Sequence, residues 1–258
     1  MCEVIVFTHS DYNDIWPIVC DSLQQAHIEM NIHFAVNAGA EVASLKPWEV
    51  YTYDEAKPYA SRLIEVLQKV NSPYVFFFHD IDVIRSFDNQ RFLQLLTWMK
   101  NEEVDRFYMG VFGSKQFERH IGDMPIGKSG LNICEWFTTP YDVGPSVWKT
   151  KTFLELMEQF KDETYRSIEA SGIQHVLAKN KIYGFCKGNF EIKFTIGRPF
   201  TEWFSFCHML VRGKWIPPEA FQSHFNFFVE IPQKYGIDIA KRGVTEFFHG
   251  MLFGLHIS

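Results

Sequence analysis

No C-x-x-C pair occurs among the five cysteines, Cys2, Cys20, Cys134, Cys186 and Cys207. Their odd number and wide spacing exclude a disulfide framework and a zinc site, and leave buried thiols in a reducing compartment as the expectation. No apolar run is long enough to span a bilayer, so no transmembrane segment is expected. The N-terminus passes straight into Glu3-Val-Ile-Val-Phe7, too short and too strand-like for a signal peptide, so the expected location is cytoplasmic. A basic excess is also lacking. Lys plus Arg is 25 against 31 Asp plus Glu, a formal charge of −6. That excludes the basic surface a non-specific nucleic-acid binder needs. It leaves room for a phosphorylated ligand, because a divalent cation can supply positive charge locally. Neither an internal repeat nor a linker divides the 258 residues, and one domain is expected over 1–258.

Aromatic residues, by contrast, are plentiful at 17%, with 26 Phe and 7 Trp. Most must fill core. Val4 to Phe7 and Ile32 to Val36 read as strands, and Trp48 to Tyr51 as a short third. Thr8 to Asn13 reads as a loop leading into a helix with Pro17 in its first turn. Ala56, Ala60, Leu63, Ile64, Leu67 and Val70 recur at helical spacing, which predicts a helix from Asp54, its N-cap, to Val70. Tyr74 to Phe78 is a continuous apolar strand, the pattern of a parallel strand covered on both faces. A helix over 90–100, a strand over 106–112 and a helix over 150–160 follow. Gly and Pro residues in 113–139 predict an irregular loop, 182–195 a strand pair, and 219–229 and 232–241 short terminal helices. Alternating strands and helices predict an α/β fold with a mostly parallel sheet flanked by helices and an aromatic-rich helical C-terminal extension. In such sheets ligands bind beyond the carboxyl ends of the strands.

The chemistry is carried by Tyr74-Val-Phe-Phe-Phe-His-Asp-Ile-Asp82. A strand delivers two carboxylates, one residue apart, to the ligand edge, and alternation sends Asp80 and Asp82 to the same side. Two hard oxygen ligands suit Mg²⁺ or Mn²⁺, which take one or two carboxylates plus substrate phosphate oxygens. A bare D-x-D also marks solvated turns. The buried strand before it is what gives this pair weight, since carboxylates at its mouth need a cation or water.

This segment, with the first strand and the helix before it, resembles the nucleotide-sugar-binding half of GT-A glycosyltransferases. More narrowly it looks like small soluble transferases of bacterial capsule clusters and large DNA viruses, which would make the location host cytoplasm for a viral chain. Tyr59-Ala-Ser-Arg-Leu-Ile-Glu-Val-Leu67, Ser72 to Asp82, Val143-Gly-Pro-Ser-Val-Trp-Lys-Thr-Lys-Thr-Phe-Leu154 and Arg212-Gly-Lys-Trp215 carry the likeness, over about two thirds of the chain. The resemblance implies a GT-A sheet, with about 1–115 as the nucleotide-sugar half and about 116–258 as the acceptor half. It implies a nucleoside-diphosphate sugar donor, UDP-sugar favoured, and a glycan or glycoprotein acceptor. Asp80 and Asp82 would hold Mn²⁺ or Mg²⁺ across the diphosphate. Thr8, His9 and Asp11 would line the base and ribose pocket, with Arg62 reaching the nucleotide and His79 the ribose. Each also has a plainer role: Thr8 ends a strand, Asp11 caps a helix, Arg62 is a solvated charge. His208 is the candidate third metal ligand, with His224 and His249 behind it.

An inverting transferase needs a general base near the acceptor hydroxyl. Glu169 and Glu135 are the candidates, with Asp142 in the same third of the chain. Glu169 sits in Ser167 to Gly172, a turn or helix start by sequence, and Glu135 lies beside Trp136. Trp136, Trp148 and Trp203 are acceptor platforms or core. Two other readings compete. Haloacid dehalogenase-like phosphatases also place D-x-D after an apolar strand, with the first acid, here Asp80, as nucleophile. Their motif lies on the first strand, however, and needs a later acidic pair. The other is a carbohydrate-binding module that keeps the fold without turnover.

Overall fold

The computed structural model describes residues 2–112, 119–123, 132–135, 144–170, 181–186, 204–211, 213–216 and 225–245. The first strand, β1 (Cys2–Phe7), lies between β2 (Ile32–Asn37) and β4 (Tyr74–His79), parallel to both, and β3 (Glu49–Tyr53) extends the sheet beyond β2. On the far side of β4 come β9 (Ser146–Lys149), β6 (Arg106–Phe112), β10 (Ile182–Cys186), β8 (Asn132–Glu135) and β7 (Arg119–Asp123), giving the order β3-β2-β1-β4-β9-β6-β10-β8-β7. Only β9 and β8 run against the other strands among these nine. The α/β class with a mostly parallel central sheet is as the sequence predicts.

Strand alternation builds two cores. Val4, Val6, Phe34, Val36, Phe76 and Phe78 face one side, where α1 (Trp16–Gln25) and α3 (Asn89–Asn101) pack with Trp16, Val19, Phe92, Leu95 and Met99. Ile5, Phe7, Ala35, Val75 and Phe77 face the other, covered by α2 (Tyr59–Leu67) and α4 (Thr150–Gln159) through Leu63, Val66, Phe153 and Met157. This explains why β4 has no polar alternation: Phe76, Phe77 and Phe78 are all essentially fully buried, each contributing about 2–3 kcal/mol of burial. The wholly apolar strand therefore anchors the two carboxylates that follow it.

Several elements differ from expectation. Helix α2 starts at Tyr59 after Pro58, not at Asp54. A residue before proline is pushed out of helical geometry, so Lys57 cannot carry a helix through. Asp54 instead accepts the Ala56 N–H in the preceding turn (3.0 Å). Within the expected loop 113–139, β7 and β8 form an antiparallel pair at the sheet edge. A strand β5 (Asp82–Phe87) begins at the second carboxylate itself and pairs antiparallel with β11 (Phe204–His208). The short pair β12 (Leu210–Val211) and β13 (Lys214–Trp215) follows. A helix α5 (Tyr165–Ala170) precedes β10. Near the C-terminus α6 (Phe225–Tyr235) runs through Pro232, because buried Ile231 and the ties of Lys234 and Tyr235 to Asp21 hold its last turn. A four-residue helix, α7 (Ile239–Arg242), comes next.

Among the described residues no helix is long and apolar enough to cross a membrane. Cys2, Cys20 and Cys207 are free and buried. Burial pushes the first two thiols up to about 12 and about 11, so they stay unreactive.

Candidate functional site

Chain order reverses at β1: the chain goes outward to β2 and β3, then returns to place β4 on the other flank. The carboxyl ends of β1 and β4 therefore border the crevice where open α/β sheets take ligands. Thr8 follows β1 there and Asp80 follows β4, and the Asp80 N–H donates to the Phe7 carbonyl (3.2 Å). The Thr8 hydroxyl donates to Asp80 Oδ2 and accepts from Trp16 Nε1 (2.7 Å). The Tyr53 hydroxyl donates to the Thr8 carbonyl (2.6 Å). Thr8 thus fixes Asp80, its one donor committed to that carboxylate.

Asp82 is 1% exposed and opens β5, directly opposite His208 at the end of β11. His208 Nδ1 lies 2.8 Å from Asp82 Oδ1. The other oxygen, Asp82 Oδ2, is buried with no hydrogen-bond partner. An unpaired buried carboxylate oxygen is unfavourable unless a cation or a donor from a ligand completes it. Burial raises the Asp82 carboxyl above its ordinary range, against the pull of His208. Asp80 is pushed up to about 7, first by burial, with Thr8 opposing and Asp82 adding to the rise. A divalent cation reverses both trends, since it favours the ionised acids.

The structure sets Asp82 against His208, and Asp80 lies two residues before Asp82 on the turn out of β4. Two carboxylates and an imidazole are a donor set for Mn²⁺ or Mg²⁺, and the orphaned Asp82 oxygen fits that role. Among the described residues no group of three or more His, Cys, Asp or Glu is placed to hold a metal ion, so a cation on Asp80 or Asp82 would need ligands from elsewhere. Mg²⁺ sites of this kind are commonly completed by substrate phosphates.

His79 ends β4, with Nε2 3.0 Å from the Tyr59 hydroxyl. Burial, and then His208, lower its pKa to about 3, so it stays neutral. His9 caps the turn after Thr8. Its Nδ1 accepts the Asp11 N–H (3.1 Å) and its Nε2 faces Glu55 Oε2 (3.2 Å), which also takes the Asn37 amide (2.9 Å). The Asp11 side chain is solvent-exposed. Arg62 donates from Nε to the Lys57 carbonyl (2.7 Å) and from Nη2 to the Glu55 carbonyl (2.5 Å), so it buttresses the loop under the His9 cluster. Glu135 ends β8, in register with Tyr183, and Glu169 lies in the last turn of α5 rather than at a helix start. Trp136, Trp203, Asp142, Arg212, His224 and His249 lie outside the described residues. Trp148 is core, stacked on Phe153 at 4.6 Å.

Arg242 was not legible in the sequence. Its Nε donates to Asp14 Oδ2 (2.8 Å), Nη2 donates to the Asp11 carbonyl (2.6 Å), and the guanidinium sits 4.8 Å from the Tyr12 ring centroid. Its charge reaches Asp80, lowering that carboxyl's pKa. Asn37 closes β2 at the ligand edge and bonds Ser10 and Glu55; a polar residue ending a buried strand there is its signal in the sequence.

No family model matches the chain, and no curated protein matches it by sequence. Among solved structures it is similar to S. aureus TarS 1-349, at 10% identity over 72% of this chain and 59% of that one, TM-score 0.47. It therefore spans less than two thirds of that structure's length. It is also similar to CMP:2-keto-3-deoxy-manno-octonic acid synthetase complexed with CTP, at 11% identity over 72% of this chain and 90% of that one, TM-score 0.48. An active-site mutant of LgtC aligns at 14% identity over 71% of this chain and 72% of that one, TM-score 0.40. These are partial likenesses of fold, and none of them bears on substrate.

Proposed function

We propose that this chain is a metal-dependent glycosyltransferase that moves a sugar from a nucleoside-diphosphate sugar, UDP-sugar favoured, to a glycan or glycoprotein acceptor. The observation that carries the reading is the buried, unpartnered Asp82 Oδ2 beside His208, at the switch-point edge that also bears Asp80. In this reading Asp80, Asp82 and His208 hold Mn²⁺ or Mg²⁺, which as a Lewis acid supplies stabilisation of charge on the departing diphosphate.

The chain's own residues do the remaining work. Thr8 and Trp16 orient Asp80, so that one carboxylate is fixed before the donor arrives. His208 orients Asp82. The loop bearing His9 and Asp11, closed by Glu55 and Asn37, forms the wall on which base and ribose rest. Arg242 adds a fixed positive charge near Asp80, favourable to phosphate. Glu135 and Glu169 remain the two candidates for proton removal from the acceptor hydroxyl. The phosphatase reading ranks behind, because the Asp80 carboxyl is held by the Thr8 hydroxyl rather than left free to attack phosphate.

Calorimetry of UDP binding with Mn²⁺, with and without a chelator, tests the metal site, since two phosphates facing two bare carboxylates repel. Equal affinity in both conditions would sink it. Turnover of UDP-sugars with release of UDP, lost in Asp82→Ala, is the expected activity. Phosphate release from simple monoesters without sugar-nucleotide turnover would favour the phosphatase instead.

A further inference from the structure

A cavity of about 310 Å³ opens between the C-terminal end of α1, the middle of β5 and the face of α6 turned toward α1. It shares no lining residue with the donor site, and Arg85 stands three residues along β5 from Asp82, roughly 10 Å of strand. Arg85 is the unusual member of its wall. Its Nε is buried without a hydrogen-bond acceptor, and among the described residues no carboxylate pairs with it. The Phe227 ring covers one face of the guanidinium, 3.8 Å from its centre. Such stacking fixes the orientation of the planar fork and leaves its edge for an acceptor. The nearby Lys234 is already neutralised: its Nζ sits 2.6 Å from Asp21. Among the described residues of this wall the cation left to be matched is Arg85, and a buried donor left unmade is unfavourable.

We propose that this cavity binds a small hydroxylated monocarboxylate, of the size and chemistry of a single-ring sugar acid. A carboxylate meets the Arg85 fork with two parallel hydrogen bonds. Gln25 and Asn226 supply amide groups for hydroxyls, and Glu230 accepts from them while repelling a second negative charge. That acid on the wall favours a monoanion over a phosphate dianion. The volume suits a small ligand of this kind.

Isothermal titration of the full chain with sodium glucuronate, glucose and inorganic phosphate tests the proposal. Glucuronate should bind saturably in the millimolar range, with glucose and phosphate at least about tenfold weaker. Arg85→Met should weaken glucuronate at least about tenfold, which is about 1.4 kcal/mol. Arg85→Lys, which keeps the charge but loses the fork, should show a smaller loss. Asp82→Asn should leave glucuronate affinity unchanged, which separates this cavity from the donor site. The proposal is overturned by no saturable glucuronate binding, by equal affinity in Arg85→Met, or by phosphate binding more tightly than glucuronate. Should Arg85→Met fail to fold, Arg85→Lys and Phe227→Leu carry the test, and unchanged affinity in both overturns it.

Discussion

Buried acids stand at both ends of β1, and they are treated in opposite ways. At the start, Glu3 Oε1 accepts the Asn71 and Ser72 N–H groups (3.0 Å each). Its Oε2 is reached by the Tyr51 hydroxyl (3.5 Å) and lies 3.4 Å from His33 Nε2. His33 Nδ1 in turn lies 3.1 Å from Glu49 Oε2. Both oxygens of this acid are engaged by the protein. Beyond the other end, Asp82 has one oxygen engaged and one left bare. An acid completed by its own chain is scaffold. An acid left short where the sheet opens to ligand is a site held ready, at some expense in stability.

The sharpest way to break this contrast is to exchange the acids for neutral residues and read function and stability separately. Asp82→Asn should reduce UDP-sugar turnover by about three orders of magnitude, the loss of several kcal/mol of charge stabilisation, while urea unfolding shows stability unchanged or raised. Glu3→Ala should do the reverse. It leaves two backbone donors orphaned and should cost about 3 kcal/mol of unfolding free energy, with Mn²⁺-dependent UDP affinity unaltered. A Glu3 variant that loses nucleotide binding while still folded would collapse the distinction. His208→Ala should weaken Mn²⁺ affinity by about 10- to 100-fold in a metal titration, less than loss of the carboxylate, because it both orients Asp82 and shares its charge.

The smallest effect is in pH. In chelated protein Asp80 titrates at about 7, above its unfolded value of 3.8. Between those values the folded chain binds more protons, so this carboxyl makes stability fall as pH rises from about 4 to 7. His79 acts oppositely: held at about 3 against 6.5 unfolded, it makes stability rise with pH across that interval. The raised Asp82 carboxyl acts in the same sense as Asp80, so the acids and His79 oppose one another. Asp80→Asn should make the slope of Tm with pH between 4 and 6.5 more positive than in the wild type, and an unchanged slope in that variant would contradict it.

What the sequence disclosed follows the range of the forces involved. Strand β4 and the acids after it were legible because a run of buried aromatics is a local signal. Helix α3 was legible because Phe92, Leu95, Leu96 and Met99 share a face. The metal-ligand role of Asp80, Asp82 and His208 is an expectation from the motif and the resemblance it carries, and what the structure adds is the pairing of Asp82 with His208 across β5 and β11. Strand β5 was hidden, since its partner lies some 120 residues away and Asp82 looked like the end of a turn. Arg242 and Asp14 were hidden for the same reason, being 228 residues apart with no local mark on either. The placing of Thr8 on Asp80, rather than free for a nucleotide, depended on Trp16 reaching back across eight residues.

The rung that sets Asp82 against His208 joins positions 126 residues apart. During synthesis the chain can lay down β1 to β4 and both acids long before residue 208 leaves the ribosome, so a nascent chain carries the acidic pair without its imidazole. Bringing the two together closes a long loop, and that entropy must be met by the packing of β11 on β5. The proposed donor site is therefore among the last features to mature, and a chain cut short before β11 would keep the motif but not the Asp82–His208 pairing.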